Sequence, residues 1–409
     1  MKFTVVKNFA SLGLMQAINY LLPIILTPYL VVTIGISNVG IIATMTAFAA
    51  YFQLLIDYGF NLTATREIAR NSSDNEYLSR ITSAVINIKV MFSILVVVFS
   101  IIISQFSFYF SQYFQVYIFT ILLVISQSLF PVWHFQGVQQ MQYITLCNSI
   151  PKIMAAIMVF ILIKQADDTW KVQFIYFCGG VLSLLFSYSI LFCKFRFVYK
   201  FNLEDIRFHL KDGMSVFTAR LASGLYKNFN ILALGYFSTP MAVGVYSIAE
   251  KVLRGMQMVQ NVLGDVLYPM FSKENKYRED FFKILIKKYW AIAFIFYLVA
   301  TIIIYSASNI ISVFLAKSSS YEVDICLKIM SAAFFFGGMN YIFAVLGLVS
   351  CGQTKVYAKC VILTGGFNVI VSTLLSYEYS YKGASLALVL SEIFLFVLVI
   401  FKSKKTGII

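Results

Sequence analysis

The sequence predicts an all-α membrane protein with twelve transmembrane helices in two six-helix lobes around a central cavity. Three observations support this prediction: a very apolar composition, apolar runs that recur along the whole chain, and an uneven placement of positive charge. Of the 409 residues, 60% are hydrophobic and 12% are charged, which is about half the charged share of soluble domains. This composition excludes a soluble fold with a single membrane anchor.

The predicted spans are apolar runs, each long enough to cross the ~30 Å hydrocarbon core of a bilayer as a helix. They cover residues 9–35, 38–60, 81–104, 113–133, 143–164, 170–193, 214–237, 241–270, 289–306, 326–349, 355–376 and 382–401. Short links such as QADDTW, between the fifth and sixth runs, are typical of antiparallel neighbouring helices. The even number of spans predicts that both termini lie on the same side of the membrane.

Lysine and arginine are distributed very unevenly between the loops. With the amino terminus in the cytoplasm, 20 of the 32 Lys and Arg residues fall in cytoplasmic segments and four fall in outer loops. This split follows the positive-inside rule and predicts that both termini are cytoplasmic. Membrane topology therefore explains most of the net charge of +14, and we expect no nucleic-acid partner.

The chain divides at its midpoint into two halves of six predicted spans each. We predict an N-terminal lobe over residues 1–193, a cytoplasmic linker over 194–213 and a C-terminal lobe over 214–409. Halves with an even number of spans are parallel repeats, and such folds bind their substrate between the lobes. The triplets NVG and AVG, which open the second and eighth spans, are a faint trace of this repeat.

Charged side chains inside the spans are the main functional signal, because a charge near the bilayer centre costs about 2.5–3.5 kcal/mol even on the lenient insertion scale. The cations are Lys89, Lys152, Arg220, Lys227, Lys251, Arg254, Lys328 and Lys359, and the acids are Asp57, Glu250, Asp265 and Glu392. Such charges normally face a bundle interior or a wet cavity. The cation surplus predicts a cavity that binds an anion, and phosphate or pyrophosphate suits Lys and Arg best.

Some of these charges also have a purely structural interpretation. Lys328 and Lys359 lie near the ends of their spans and can snorkel to the interface. Asp57 and Asp265 lie near cytoplasmic helix ends and can form a local cap or salt bridge. Arg220 lies ~7–8 Å inside its span, so that snorkelling and a cavity role stay equally open.

The predicted anion-binding side chains are, in order, Lys227 and Lys251, then Arg220, Arg254, Lys152 and Lys89. Lys227 ranks high because it lies ~18 Å into the seventh span. Glu250 and Arg254 share a helix face and can neutralise each other, which leaves Lys251 without a local partner. Glu392, near mid-depth, is either a proton or sodium coupling site or a partner for a cavity lysine. A coupling role and a pairing role are also open for Glu250, Asp57 and Asp265.

The cysteines and histidines give no sign of a metal or catalytic site. The six cysteines are scattered without a CxxC pair, and the two histidines lie 75 residues apart. Cysteines of this kind behave as buried small hydrophobes. The largest outer loop, 307–325, holds only two carboxylates, too few for the catalytic loop of a membrane polymerase or glycosyltransferase. We therefore expect no metal, no cofactor and no enzymatic activity.

Four segments carry a family resemblance. They are FASLGLMQAINYLLPIILTPYL at 9–30, IDYGFNLTATREIAR at 56–70, WHFQGVQQMQYI at 133–144 and VGVYSIAEKVLRGM at 243–256. With the twelve-span plan, they make the chain similar to the Wzx-type polysaccharide flippases, the O-antigen and capsule repeat-unit exporters of the multidrug/oligosaccharidyl-lipid/polysaccharide superfamily. The chain departs from the family at Gln139, where an acid often follows the FQG turn.

The resemblance implies two six-helix lobes around an often cationic cavity, which work by alternating access in the bacterial inner membrane. The implied substrate is a short oligosaccharide on undecaprenyl pyrophosphate. The sequence leaves open whether the protein works alone or docks to a polysaccharide polymerase. The alternative function is an ion-coupled drug antiporter of the related MATE type, although such cavities tend to be acidic and the cation surplus argues against it.

Overall fold

The computed structural model describes residues 2–71, 74–277 and 281–405, and all regular structure in these ranges is helical. The helices are α1 (Lys2–Thr33), α2 (Ile36–Asp57), α3 (Phe60–Arg70), α4 (Asn75–Phe106), α5 (Phe108–Gln112), α6 (Phe114–Leu129), α7 (Val132–Gly137), α8 (Met141–Leu162), α9 (Thr169–Cys193), α10 (Leu203–Phe237), α11 (Pro240–Tyr277), α12 (Phe281–Ala316), α13 (Ser320–Asn340) and α14 (Thr354–Lys405). A π-helix, Tyr341–Val349, continues α13. The predicted all-α class is confirmed.

Within the described ranges, nine helical stretches are long and apolar enough to cross a membrane. They are Gly13–Thr33, Ile36–Arg70, Asn75–Phe106, Phe114–Gly137, Met141–Leu162, Ala166–Cys193, Trp290–Ala316, Ser320–Val349 and Thr354–Lys405. Exposed apolar side chains on α4, such as Ile94 (60% exposed) and Phe99 (55%), suit a helix face against lipid. The count of twelve spans stays a prediction.

Several helices extend beyond the apolar runs that predict them. α4 begins at Asn75 because the Asp74 carboxylate accepts hydrogen bonds from the backbone N–H groups of Glu76 and Tyr77, a standard N-cap. α10 begins at Leu203, so the second half of the predicted linker is helical. α14 joins the eleventh and twelfth predicted spans into one run of 52 residues, interrupted at Ser380 by a positive φ of 52°.

The chain forms two compact units. The first unit comprises Met1–Leu22 and Met45–Gly224, and the second comprises Pro23–Thr44 and Leu225–Ile409. In the first unit, Phe60 and Trp133 are fully buried in an apolar cluster of residues from α3, α4 and α7. The predicted lobes, 1–193 and 214–409, stay a prediction.

A pair of glycines lets two helices of the second unit approach closely. Gly40 and Gly244, the last residues of the NVG and AVG triplets, are each the fifth residue of their helix, α2 and α11. A Cβ on Gly40 would lie 1.8 Å from the carbonyl oxygen of Pro240, and one on Gly244 would lie 2.2 Å from that of Ile36. The two triplets therefore pack reciprocally, as small residues do where membrane helices cross.

Candidate functional site

A polar cavity of about 240 Å³ lies inside the first unit, among α1, α2, α3, α6, α8 and α9. Its polar lining consists of the amides Asn19, Gln53, Asn61, Gln127 and Asn148, the charged Asp57 and Lys152, and the hydroxyls of Ser126, Ser128, Tyr176 and Ser183. Amide groups are costly to bury among apolar helices unless they are hydrogen-bonded. This concentration of amides therefore marks the cavity as a place for a polar ligand.

Helical spacing explains how distant parts of the sequence reach one cavity. On α8, Asn148 and Lys152 are four residues apart, so both lie on one helix face. On α9, Gly180 allows close packing against α6, because a Cβ there would lie 2.1 Å from Ser126 Oγ. The glycine thus brings the polar face of α9 next to that of α6.

Lys152 is the cation in this lining, and its ammonium group donates to Asn19 Oδ1 at 2.7 Å. The bond crosses from α8 to α1, which fixes the orientation of the amide. Among the described residues, Lys152 forms no ion pair with a carboxylate, and its hydrogen bond goes to this neutral amide. When protonated, Lys152 contributes positive charge to the cavity, and it holds an amide in place.

Lys89 lies behind the cavity wall. Its Nζ is 2.8 Å from Asp57 Oδ1, donates to the Ser128 carbonyl at 2.6 Å, and lies 4.5 Å above the Trp133 ring. The Lys89 side chain is only 1% exposed and that of Asp57 15%. This buried pair compensates the one carboxylate of the cavity lining, so Asp57 adds little net negative charge there.

Three buried oxygen atoms of the cavity residues lack a hydrogen-bond partner among the described residues. They belong to Asn61 (Oδ1), Ser128 (Oγ) and Ser183 (Oγ). Leaving a buried polar atom unsatisfied costs roughly 1–3 kcal/mol. All three residues border the same cavity, so unsatisfied polar groups concentrate around it.

The second unit holds a smaller pocket of about 100 Å³ with a different lining. Glu250, Arg254, Gln257 and Glu392 supply its polar groups, and Leu253, Ala333 and Leu388 supply the rest. Glu250 Oε1 accepts from Arg254 Nη2 at 2.6 Å. The lining thus contains two carboxylates and one arginine, and Lys251, next to Glu250 in the chain, lies within electrostatic range of it.

Glu392 is fixed by a neighbour at a helix irregularity. Asn340 Nδ2 donates to Glu392 Oε2 at 2.8 Å and to the Glu392 carbonyl at 3.0 Å. Asn340 ends α13, and the π-helix begins at the next residue. π-Helical turns are frequent at functional sites, and this one places an amide donor on the half-buried carboxylate.

The structure brings together only some of the charges that the sequence singles out. Asp57 and Lys152 line the first-unit cavity, while Glu250, Arg254 and Glu392 line the second-unit pocket. Lys89 pairs with Asp57, and Arg220 is half-buried on α10 without lining either site. Lys251 is half-buried beside the second pocket and makes no ion pair within the described residues. The side chains of Lys227 and Asp265 lie outside the described residues.

A search for charges in the sequence misses the five amides of the cavity. A signal for them exists, since Asn19, Asn148 and the others are strongly polar residues inside apolar runs. It is weak because neutral amides are tolerated in membrane helices far more often than ions. No spacing rule links α1, α2, α6 and α8 before their packing is known.

Two arginines from segments that the sequence predicts to be cytoplasmic have specific partners in the first unit. Arg66 Nη2 contacts both carboxylate oxygens of Asp212 at 2.9 and 3.1 Å, and Arg80 donates twice to Asp205 at 2.9 and 3.0 Å. Asp205 and Asp212 both lie in the first turns of α10. The positive-inside pattern thus includes contacts that attach the start of α10 to α3 and α4.

Apolar helices long enough for a bilayer, together with buried polar cavities, define a multi-pass helical membrane protein. Within the described ranges, no group of three or more His, Cys, Asp or Glu residues is placed to hold a metal ion. The chain belongs to the polysaccharide biosynthesis protein family, whose model matches residues 5–275.

Curated relatives cover almost the whole chain. It is 24% identical over 394 residues to a protein of Escherichia coli K12 named "Putative O-antigen transporter", covering 96% of this chain and 94% of that one. A protein of Shigella dysenteriae with the same name is 25% identical over 405 residues, covering 98% and 100%. The family match and these relatives confirm the resemblance predicted from the four sequence segments. These two relatives are named as transporters, not as enzymes.

Solved structures share the fold at low sequence identity. A lipid II flippase, MurJ, in an inward closed conformation superposes with a TM-score of 0.71 at 14% identity, covering 98% of this chain and 87% of that chain. An inward-facing multidrug resistance MATE transporter of the MOP superfamily gives 0.75 at 13% identity, covering 96% and 94%. At these identities the likeness shows the fold alone.

Proposed function

We propose that this protein moves an undecaprenyl-pyrophosphate-linked oligosaccharide repeat unit from the cytoplasmic to the outer leaflet of the bacterial inner membrane by alternating access. The observation that carries the proposal is the first-unit cavity, in which Lys152 and five amides lie among membrane helices. An anionic, hydroxyl-rich head group needs such donors and acceptors, and lipid supplies none. The relatives named as O-antigen transporters and the fold of a lipid II flippase support the same substrate class.

The cations are assigned to the pyrophosphate in this proposal. Lys227 and Lys251 are the principal contacts, and Lys152 and Arg220 add positive charge along the path. Arg254 and Lys89 have weaker claims, because each is paired with a carboxylate, Glu250 and Asp57 respectively. The predicted lobes, 1–193 and 214–409, and two cytoplasmic termini belong to the same proposal.

The test is complementation of a deletion strain with single glutamine variants of the two principal contacts, Lys227 and Lys251, and of Lys152, which lines the first-unit cavity. We expect each variant to lose surface glycan and to accumulate lipid-linked repeat units in the inner leaflet, at unchanged protein level. Lys355→Gln is the matched control, since Lys355 is an exposed lysine at the start of α14. Normal surface glycan from all three variants would remove the cations from the mechanism.

A drug antiporter of the MATE type is the second candidate, favoured by the two carboxylates of the second-unit pocket. Expression in a drug-sensitive host distinguishes the two functions. We expect no gain in resistance to cationic dyes. Resistance that depends on Glu392, together with normal surface glycan in the deletion strain, would favour the antiporter.

A further inference from the structure

We infer that the first-unit cavity is a subsite for one neutral sugar residue, which it recognises through hydroxyl or acetamido groups and not through phosphate. The inference rests on the proposed function for the way in which the sugar arrives. Such a sugar subsite differs from an anion site in its ligand, in the residues that bind the ligand and in the effect expected from substituting them.

The charges of the cavity argue against phosphate as its ligand. Its lining contains one cation, Lys152, and one carboxylate, Asp57. Lys152 already donates to Asn19 at 2.7 Å, and Lys89, which compensates Asp57, is buried behind the wall. A doubly charged phosphate group calls for several converging cations or a bidentate arginine, whereas the described lining presents a single lysine that is already engaged with an amide.

The amides match the chemistry of a sugar. A carboxamide presents two donors and an acceptor on one small group, and a hydroxyl group is likewise both donor and acceptor. Gln53, Asn61, Gln127 and Asn148 come from four different helices, so they can engage hydroxyls on different sides of one ring. Tyr176 adds an aromatic face, which suits the apolar face of a pyranose.

The unsatisfied atoms point the same way. Asn61 Oδ1 and the hydroxyl oxygens of Ser128 and Ser183 are buried without a partner among the described residues, and all three residues line the cavity. An amide oxygen is an acceptor that requires a donor, which a hydroxyl or an acetamido N–H provides and an ionised phosphate does not. Of the three, the Asn61 oxygen favours a ligand that donates hydrogen bonds, whereas the two serine hydroxyls can donate or accept.

The size limits the ligand to a single ring. A volume of about 240 Å³ is just below the range of roughly 300–1,000 Å³ that is usual for drug-sized ligands. One monosaccharide is smaller than such ligands, whereas a repeat unit of several sugars is larger. The cavity thus holds one sugar of the glycan and can discriminate between sugars at that position.

The experiment measures binding of free glycosides to the purified full-length protein in detergent. The probes are methyl glucoside, methyl galactoside and methyl N-acetylglucosaminide, and their binding is observed by saturation-transfer NMR. Inorganic pyrophosphate is added as a competitor. The variants are Gln127→Leu, Asn148→Leu and their combination, which remove hydrogen bonding while keeping side-chain bulk. Gln115→Leu is the matched control, because Gln115 is an exposed residue of the same helix, α6, outside the cavity.

We expect at least one glycoside to bind the wild type and the control, and to bind the double variant roughly tenfold more weakly, as the loss of two neutral hydrogen bonds implies. Pyrophosphate should not displace it. If the double variant does not fold, the single variants decide the result. Glycoside binding that is absent or indifferent to both positions would overturn the inference, and so would displacement by pyrophosphate with loss of binding in Lys152→Gln.

Failure of the inference is distinguishable from failure of the proposed function. Normal surface glycan in a deletion strain refutes the flippase function whatever the glycosides do. Loss of surface glycan in that strain, combined with glycoside binding that ignores Gln127 and Asn148, refutes the sugar subsite alone.

Discussion

The two units of this protein hold polar sites of opposite character. The first-unit cavity is larger, about 240 Å³, and combines five amides with one lysine and one compensated carboxylate. The second-unit pocket is about 100 Å³ and combines two carboxylates with one arginine. Both lie among apolar helices, where an ionisable group without a function is rare.

This difference suggests a division of roles. The first site offers donors and acceptors to a neutral or weakly anionic group of a glycan. The second offers two carboxylates in a space suited to a proton or a small cation, and its Glu392 is held by Asn340 at 2.8 Å. We propose that the second site couples transport to an ion, while the first selects the substrate.

The largest expected effect is that of Glu392→Gln. The amide keeps the shape of the side chain but removes the charge that a driving ion would neutralise, so transport should collapse. The measurement is the rate of repeat-unit translocation in vesicles under an imposed proton or sodium gradient. Gln257→Leu, in the same pocket, should retain the ion dependence because no ionisable group is lost. Wild-type rates in Glu392→Gln would remove the coupling role from the second unit.

Lys89→Met tests the electrostatics of the first unit. Removing one partner of a buried ion pair costs about 3–5 kcal/mol, because the other charge stays buried without compensation. Lys171→Met is the control: Lys171 is 42% exposed and pairs with Asp168 at 2.6 Å. The Asp168 carboxylate keeps two backbone donors, Lys164 and Gln165, when Lys171 is lost, so we expect a loss of about 0–1 kcal/mol, as for exposed pairs. Thermal unfolding of the purified variants gives the comparison. Equal losses of stability in the two variants would show that the Lys89–Asp57 pair is as well solvated as the Lys171–Asp168 pair.

Local spacing accounts for the contacts that the sequence predicts best. Glu250 and Arg254 are one helical turn apart, and the structure joins them. Lys328 has an equally local partner, since its ammonium group lies 2.7 Å from the Asp324 carboxylate. The sequence does not predict this pair, because the apolar run begins at residue 326 and leaves Asp324 outside the predicted span. The helix itself begins at Ser320, since polar residues continue a helix that apolar periodicity no longer marks.

Contacts between distant helices lie beyond the reach of the sequence. Asp57 and Lys89 are 32 residues apart. The sequence suggests a local cap or salt bridge for Asp57 and an anion contact for Lys89, and neither interpretation indicates their pairing. The amide cavity draws on six helices, so no window of sequence contains it. The apolar runs and the helical class follow from composition, because the bilayer leaves a chain this apolar few alternatives.

Gly40→Ala probes whether the two sites can be damaged separately. A methyl group 1.8 Å from the Pro240 carbonyl forces α2 and α11 apart, and we expect a loss of about 1–3 kcal/mol as for other overpacked contacts. Gly366→Ala is the control, since nothing lies within 4 Å of its Cβ, and a helix-interior alanine should stabilise by up to about 1 kcal/mol. Because Gly40 belongs to the second unit, glycoside binding by the first-unit cavity should persist in Gly40→Ala. Loss of glycoside binding in this variant would show that the two sites are not independent.

The smallest expected effect concerns His209 on α10, which precedes the predicted seventh span in a segment that the sequence predicts to be cytoplasmic. Burial lowers the pKa of His209 below its usual 6.5, although the carboxylates of Asp205, Asp212 and Glu67 oppose this. The unfolded chain therefore binds the His209 proton more readily than the folded one, so stability is complete above about pH 6.5 and falls as the pH drops below it. The unfolding temperature should decline on acidification in the wild type and less in His209→Gln. Parallel declines would assign the pH dependence to other groups and leave the two polar sites as candidates for it.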